Sequence, residues 1–159
     1  PMNKKHKTLK EEIQQSKDFS NLEAEVYLNL LRTTEALGAE VNAMMRQFGL
    51  SQSQYNVLRI LRGAGEQGLC GRDIVERMVT RDSDMTRLLD GLEKKKFVKR
   101  TRSDEDRRII MANITKSGLN LLTKMDQPMG GVHKTQLRHL SEAKLTRLNR
   151  LLEEARQGE

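Results

Sequence analysis

Apolar residues recur at helical spacing in several separate segments of this chain. From about residue 21 to residue 48, one seam repeats at heptad-like intervals and is formed by Leu30, Leu37, Val41, Met44 and Phe48. This spacing predicts a long helix that packs against another helix. Gly49 fits the C-terminal cap of that helix.

Further helices follow, each with a recognisable start. Ser51 and Gln54 form a capping box that opens a second helix. Shorter apolar stripes predict a third helix over about 72–79 and a fourth over about 83–95. Thr115 caps a fifth helix and Ser141 a last one. Within the fifth helix, a kink or a break is expected at the helix-disfavouring residues Pro128, Gly130 and Gly131.

A polar hairpin separates the fourth and fifth helices. Residues 97–102 and 108–114 have the composition of strands, and residues 69–70 read as a short extended link. Period-two alternation places Arg108, Ile110, Ala112 and Ile114 on one face of the second strand. Because helices occupy both chain ends around a compact middle, the ends are expected to pair with a second subunit while the middle carries the function.

Positive charge is concentrated on this hairpin. The chain has 159 residues and a net charge of +7, whereas residues 94–108 alone hold eight Lys/Arg and three Asp/Glu, a net +5. Such a basic patch favours nucleic acid as the partner. No apolar run is long enough to span a membrane and one cysteine excludes an internal disulfide, so we expect a cytoplasmic protein with no membrane partner.

The fourth helix is amphipathic and follows a short helix and a tight turn, which is the order of a helix-turn-helix. Its apolar face is formed by Met85, Leu88, Leu89 and Leu92. The candidate DNA-binding residues near its N-terminus are Ser83, Asp84, Thr86 and Arg87. Arg87 can donate two bonds to guanine, Asp84 can accept from a cytosine amine, and the hydroxyls can bind bases or backbone. The alternative is an ordinary amphipathic helix with a solvated polar face.

The hairpin tip strengthens the DNA-binding interpretation. Its candidate residues are Arg102, Asp106, Arg107 and Arg108. Arginine at such a tip can enter a minor groove, and Asp106 is expected to hold an arginine in one rotamer by a salt bridge. A solvated charged hairpin is the alternative. Candidate phosphate contacts are Ser51, Ser53, Arg72 and Lys94.

An ordered set of segments carries a resemblance to a known family. It consists of residues 85–93 (MTRLLDGLE), 97–100 (FVKR), 104–108 (DEDRR) and 114–118 (ITKSG), followed by the helix from Leu140 to Leu152. This combination resembles the MarR family of winged-helix regulators over about residues 22–156. The chain departs from the family's usual residues at Gly91, at Lys96 before the second strand, and at Ile114.

The resemblance implies a mainly α fold with a small β wing, in which a winged helix-turn-helix core is flanked by N- and C-terminal dimerisation helices. We predict a flexible basic arm over 1–20, a helical dimerisation region over 21–48 and 115–156, and a DNA-binding domain over 50–114. The implied function is a homodimeric, double-stranded DNA-binding transcriptional regulator on a pseudo-palindromic operator, usually a repressor released by a small ligand. The resemblance also implies that Asp106 of this chain orients the wing and that Arg108 is the minor-groove arginine.

Control of the protein leaves several alternatives open. A small aromatic or amphipathic ligand between the dimer helices and the core would contact Met44, Met45, Tyr55 and Leu58, which are otherwise ordinary core residues. Cys70 stands at a predicted helix N-terminus, where a thiol can be activated for redox sensing or can simply replace a capping residue.

Other functions find less support in the sequence. His133 and His139 are spaced i, i+6, which does not suit a metal site, and no cofactor is expected. A protein-binding winged helix with acidic tip residues Asp104, Glu105 and Asp106 is the main alternative to DNA binding. No catalytic constellation suggests an enzyme.

Overall fold

The computed structural model describes residues 7–80, 84–103 and 106–158. Within them the helices are α1 (Leu9–Glu12), α2 (Leu22–Gln47), α3 (Gln52–Ala64), α4 (Gly71–Arg77), α5 (Met85–Lys94), α6 (Lys116–Leu137) and α7 (Glu142–Arg156). A 3₁₀ turn covers Gly65–Gln67. The strands β1 (Leu69–Cys70), β2 (Val98–Arg102) and β3 (Ile110–Ile114) form an antiparallel sheet in the order β1-β3-β2. The predicted mainly α fold with a small β element is confirmed.

The chain divides into two compact units, with the boundary at residues 40 and 41, inside α2. In the first unit, Thr8 caps the single turn of α1 through a capping box with Glu11, and Leu9 is buried. Asn21 caps α2 by accepting a bond from the N–H of Ala24 at 2.7 Å. This part of α2 exposes several large apolar side chains, namely Leu22, Val26, Tyr27, Leu30 and Leu31. Such a face is what the predicted dimerisation role of α2 requires, although that role stays a prediction.

The second unit is built around α3. The predicted capping box starts this helix, since the Ser51 hydroxyl accepts from Gln54 N at 3.2 Å and Gln54 Oε1 accepts from Ser51 N at 3.3 Å. The side chains that are completely buried come from α3, α4, α5, β2 and α6, and are Val57, Leu58, Leu61, Ile74, Leu92, Val98, Leu122 and Met125. One apolar core therefore holds α3, α4, α5, α6 and the sheet together, whereas α7 contributes no buried residue to it.

An ion pair on the surface of this unit links α3 to α6. The Arg62 guanidinium donates to both carboxylate oxygens of Asp126, at 2.9 and 3.0 Å. Mainly through these hydrogen bonds, Arg62 lowers the pKa of the Asp126 carboxyl. The two-point geometry is the favourable one for arginine and a carboxylate.

Of the kink or break expected in α6, the helix shows no break, and the kink stays a prediction. It runs without a break from Lys116 to Leu137 and contains Pro128. Proline removes one backbone hydrogen bond from a helix, but Met125 and Met129, on either side of it, are both buried. Core packing on both sides of the proline therefore holds the helix together.

The short strand β1 corrects another expectation. Residues 69–70 are not an isolated link but pair with β3, Leu69 opposite Ala112 and Cys70 opposite Met111. Gly68 precedes this strand with φ +64°, and a Cβ there would lie 2.5 Å from the Ala112 carbonyl oxygen. Only glycine combines that backbone conformation with so close an approach to β3. In addition, β3 begins at Ile110, two residues later than predicted.

Candidate nucleic-acid interface

The helix α5 presents a polar face beside the sheet. Its apolar side is anchored by Leu89 and Leu92, which are buried, while Thr86 and Arg87 are exposed. The helix starts at Met85 because the Asp84 carboxylate accepts from the Arg87 backbone N–H at 2.9 Å. Asp84, predicted as a base contact, thus caps the helix and also favours its N-terminus by its charge. Ser83, like Asp104 and Glu105 of the hairpin tip, lies outside the described residues.

The end of α5 is a Schellman motif. Lys96 N–H donates to the Glu93 carbonyl at 2.8 Å, and Phe97 N–H donates to the Leu92 carbonyl at 3.0 Å. Lys96 has φ +62°, a left-handed conformation that glycine adopts at lower cost. The apolar pair Leu92 and Phe97 packs into the core beside this turn. The turn therefore joins the end of α5 to the start of β2, whose Arg100 lies against Asp90 and Glu93 of the same helix.

Thr115 fastens the base of the hairpin. Its backbone N–H donates to the Phe97 carbonyl at 2.9 Å and its hydroxyl donates to the Lys96 carbonyl at 2.7 Å. The same hydroxyl accepts from the Gly118 N–H at 3.1 Å, which caps α6. A Cβ at Gly118 would lie 2.5 Å from the Phe97 carbonyl oxygen. Glycine at 118 thus lets α6 begin against the turn that follows α5.

The hairpin formed by β2, β3 and their connecting residues is called the wing below. Its strands are in register from Val98 opposite Ile114 to Arg102 opposite Ile110. Beyond them, Ser103 N–H donates to the Ile109 carbonyl at 2.9 Å, which extends the ladder toward the tip. The three predicted tip arginines, Arg102, Arg107 and Arg108, are exposed.

Asp106 forms backbone hydrogen bonds in the turn at the tip of the wing. Its carboxylate accepts from the backbone N–H of Arg108 at 2.9 Å, and its own carbonyl accepts from the Ile109 N–H at 2.9 Å. Among the described residues, it forms no salt bridge to an arginine side chain. The expected rotamer-fixing ion pair is therefore not seen in the described part of the chain, where Asp106 stabilises the turn that carries Arg107 and Arg108.

Two cations of the basic stretch are bound within the protein. The Arg100 guanidinium donates to Asp90 and Glu93 of α5, each at 2.6 Å. Lys95 Nζ donates to the Gly49 carbonyl at 2.5 Å and to Gln54 Oε1 at 3.1 Å. Lys95 is itself exposed, and the other exposed cations along this stretch are Lys94, Lys96, Lys99, Arg102, Arg107 and Arg108. The sequence count of +5 therefore overstates what the surface offers to an anion.

The predicted phosphate contacts lie at helix ends. Ser51 is exposed and caps α3, and Ser53 is half-buried in its first turn. Arg72 is exposed in the first turn of α4 and lies 3.6 Å from the Asp73 carboxylate. Lys94 is exposed in the last turn of α5. Helix N-termini present unpaired N–H groups that can bind phosphate, so Ser51, Ser53 and Arg72 keep their place as candidates.

The comparison with known proteins agrees with this geometry. The model of the MarR family matches residues 50–110. A crystal structure of a MarR transcription factor from Planctomyces limnophilus is 38% identical, covers 86% of this chain and 98% of that one, and superposes with a TM-score of 0.67. This chain belongs to the MarR family. Family members are transcriptional regulators rather than enzymes.

Two further relatives delimit what the MarR assignment supports. The regulator MhqR of Bacillus subtilis is 29% identical over 97 residues, which are 61% of this chain and 66% of MhqR, slightly under two thirds of its length. The DNA complex of MepR from S. aureus is 24% identical, with a TM-score of 0.73 over 81% of this chain and 95% of that one. At that identity, MepR supports the fold alone.

The ligand pocket predicted from the MarR resemblance is only partly assembled. A cleft of about 430 Å³ in the second unit has Met45 and Tyr55 in its wall, whereas Leu58 is completely buried and Met44 does not line it. The remaining residues that line the cleft were not predicted from the sequence. They are Val41, Gln52, Asn56, Arg59, Val79, Thr80, Met129 and His133. His133 is exposed and borders the cleft.

The cleft combines an apolar floor with polar groups. Arg59 lies 6.0 Å from the centroid of the Tyr55 ring, at the limit of a cation–π contact. Asn56 holds the segment after α4 by accepting from the Val79 N–H at 2.9 Å. No periodicity argument could place Arg59 and Thr80 together, because α3 and the segment after α4 meet only in the folded unit.

Cys70 is half-buried and is the N-cap residue of α4. Its side chain makes no capping hydrogen bond. No group of three or more potential metal-ligating side chains is found in the described part of the chain. Likewise, none of the helices described is long and apolar enough to cross a bilayer.

Proposed function

We propose that this protein is a dimeric, sequence-specific regulator of transcription that binds double-stranded DNA in the cytoplasm. The observation that carries the proposal is that one turn holds two cationic elements, α5 and the wing, beside each other. The exposed face of α5 holds Arg87 and Lys94, and the wing holds Arg102, Arg107 and Arg108. Hydrogen bonds through the turn at Lys96 and Thr115 connect the two elements.

In this proposal α5 lies in the major groove and the wing tip enters the adjacent minor groove. Arg87 and Thr86 contact base edges, with Ser83 added from the sequence prediction. Arg108 and Arg107 reach the minor groove, and Arg102 stands behind them along β2. Asp84 and Asp106 act by shaping the backbone, as helix cap and turn residue. Ser51, Ser53, Arg72 and Lys94 contact phosphates.

We further propose a homodimer on a pseudo-palindromic operator. The apolar side chains exposed on α2 and α7, such as Tyr27, Leu31, Leu148 and Leu151, support pairing of these helices with a second copy. Residues 21–48 and 115–156 then form the dimerisation region, and residues 50–114 the DNA-binding domain. Two copies would place their α5 helices about 34–36 Å apart, one duplex turn.

Repression released by a small ligand is the proposed mode of control. The cleft beside Tyr55 and Met45 would accept an aromatic or amphipathic molecule, because its floor is apolar and Arg59 and His133 stand at its border. A redox role of Cys70 remains the alternative, and comparison of the Cys70→Ser variant with the wild type after peroxide treatment tests it. Unchanged DNA affinity in both proteins would end the redox proposal.

The test of the main proposal is DNA binding as a function of salt. Fluorescence anisotropy with the duplex upstream of the protein's own gene should show steep weakening between low and moderate salt. If a dimer neutralises about ten phosphates, the slope of log K against log[salt] should be about −9. Arg108→Ala should cost about 1–3 kcal/mol of specific binding.

A matched control uses the exposed Arg138 outside the winged core. Arg138→Ala removes the same charge and, in a preparation shown by size-exclusion chromatography to be dimeric, should leave affinity and slope unchanged. A flat salt response of the wild type, or equal effects of the Arg108 and Arg138 substitutions, would refute the proposed interface.

A further inference from the structure

Arg100, at the centre of β2, is bound entirely by acidic residues of α5. Its Nε donates to Glu93 Oε2 at 3.0 Å, and its Nη2 donates to Glu93 Oε2 and to Asp90 Oδ1, both at 2.6 Å. Its backbone N–H donates to the other Glu93 oxygen at 3.1 Å. The side chain is only 24% exposed. The guanidinium is therefore directed at two carboxylates and not at solvent or a phosphate.

Those carboxylates stand on the helix proposed to read DNA. Asp90 lies three residues after Arg87, a spacing at which two helical side chains are neighbours. The Asp90 and Glu93 side chains are 57% and 40% exposed, so their charges reach the surface beside the groove-facing residues. A bare carboxylate there would repel phosphates and would compete with a base for Arg87.

The observed pairing prevents that competition. Asp90 binds Arg100, and the Arg87 side chain forms no ion pair with any other described residue. We propose that Arg100 is a positioning residue of the DNA interface, which offsets part of the negative charge of Asp90 and Glu93 and holds both carboxylates, so that Arg87 stays available to bases. This inference rests on the proposed DNA-binding function and adds a residue that contacts no DNA.

The protonation states support a charged cluster. Hydrogen bonds from Arg100 are the largest cause of a lowered pKa of Glu93, and the same bonds raise the pKa of Arg100. At neutral pH the cluster therefore holds one cation between two anions. Loss of Arg100 would change its net charge from −1 to −2 beside the DNA-facing surface.

The experiment measures binding to a duplex that the wild-type chain selects from a random pool at low ionic strength. Arg100→Met should weaken binding about 10-fold. The triple variant Arg100→Met, Asp90→Asn, Glu93→Gln removes the unmasked acids and should return affinity to within about threefold of the wild type. A direct phosphate contact by Arg100, or a purely structural role, predicts no such rescue.

A second measurement uses Arg87. Arg87→Ala should weaken binding strongly in the wild type but only slightly in the Arg100→Met background, because Asp90 then already competes for Arg87. This coupling does not depend on how much stability Arg100 contributes, which thermal melting of each variant monitors separately. Should Arg100→Met melt below the assay temperature, the Arg100→Lys variant, which keeps the charge, is expected to bind like the wild type.

The outcomes separate the two proposals. If the wild-type chain selects no duplex, both the DNA-binding function and the role of Arg100 are wrong. If the wild type selects a duplex and Arg100→Met binds it equally well, only the role of Arg100 is wrong. The same holds if the triple variant stays as weak as Arg100→Met, or if the Arg87 and Arg100 effects are additive.

Discussion

Two turns of this protein have the same backbone geometry but different residues, which makes a sharp stability prediction available. Both α2 and α5 end in Schellman motifs, with Gly49 at φ +68° in the first and Lys96 at φ +62° in the second. In the first turn, Gly49 N–H donates to the Arg46 carbonyl at 3.0 Å and Leu50 N–H donates to the Met45 carbonyl at 3.1 Å. Lys96 therefore occupies a position that α2 gives to glycine.

The expected effect of Lys96→Gly follows from backbone energetics. A non-glycine residue in the left-handed region costs about 1–2 kcal/mol. Glycine loses more unfolded-state freedom on folding, which offsets about 0.5–1 kcal/mol of that gain. The variant should therefore be about 0.5–1 kcal/mol more stable than the wild type. For a chain of this length, this corresponds to a rise in melting temperature of about 2 °C.

Control variants isolate the backbone term. Lys96→Ala removes the same charge from the cationic stretch but keeps the left-handed strain, so it should not reproduce the gain. Gly49→Ala should lose about 1 kcal/mol, because a Cβ there meets open space and only the φ angle penalises it. Thermal and urea melts at one fixed protein concentration measure all three variants. Equal stabilities of the Lys96→Gly and Lys96→Ala variants would refute the reasoning.

Three further predictions concern other contacts. Gly118→Ala should cost about 1–3 kcal/mol of stability, because its Cβ would meet a backbone carbonyl oxygen at 2.5 Å. Gly130→Ala faces open space in the same helix and should stabilise the protein by up to about 1 kcal/mol. Thermal melts that rank the two variants alike would contradict this. Asp106→Asn keeps an acceptor for the wing turn and should retain DNA affinity, while Asp106→Ala should lose it; equal losses would show that the carboxylate charge matters. Arg62→Met should cost about 0.5–1 kcal/mol at pH 7, since both partners are partly exposed. Because the folded-state pKa of Asp126 is lowered, its stabilisation is complete above the unfolded value and is lost as pH falls through the folded one. The stabilities of wild type and variant should therefore begin to approach each other in acid melts as pH falls below about 4, and should become equal only below the folded-state pKa.

The parts of the fold that the sequence predicted well have local causes. The start of α3 is set by Ser51 and Gln54, and the end of α2 by Gly49, so each boundary can be read within a few residues. By contrast, β1 consists of two residues and exists because Ala112 and Met111, about forty positions later, supply its partners. Neither composition nor periodicity contains that pairing.

The residues of the candidate site also differ in whether local sequence or a distant contact determines their role. The exposed arginines of α5 and the wing could be placed from the amphipathic pattern and the charge count. The pairing of Arg100 with Glu93 could not, because period-two alternation tells which face a residue takes but not which helix lies against that face. The charge count therefore included Arg100 in the basic stretch that favours a nucleic acid, whereas in the fold its guanidinium binds Asp90 and Glu93 of the same chain.

Hydrogen bonds within the protein explain why the proposed DNA-binding surface carries so many carboxylates. Asp84 caps α5 through the Arg87 N–H, and Asp106 holds the wing turn through the Arg108 N–H. In both cases the carboxylate accepts from the backbone N–H of an arginine proposed to contact DNA. Each acid therefore positions the backbone of that arginine and, in the described part of the chain, forms no ion pair with its guanidinium. Local backbone bonds to carboxylates are a common way to stabilise caps and turns. Arg100 completes this arrangement, since it binds Asp90 and Glu93, the two acids of α5 whose side chains do not serve as caps.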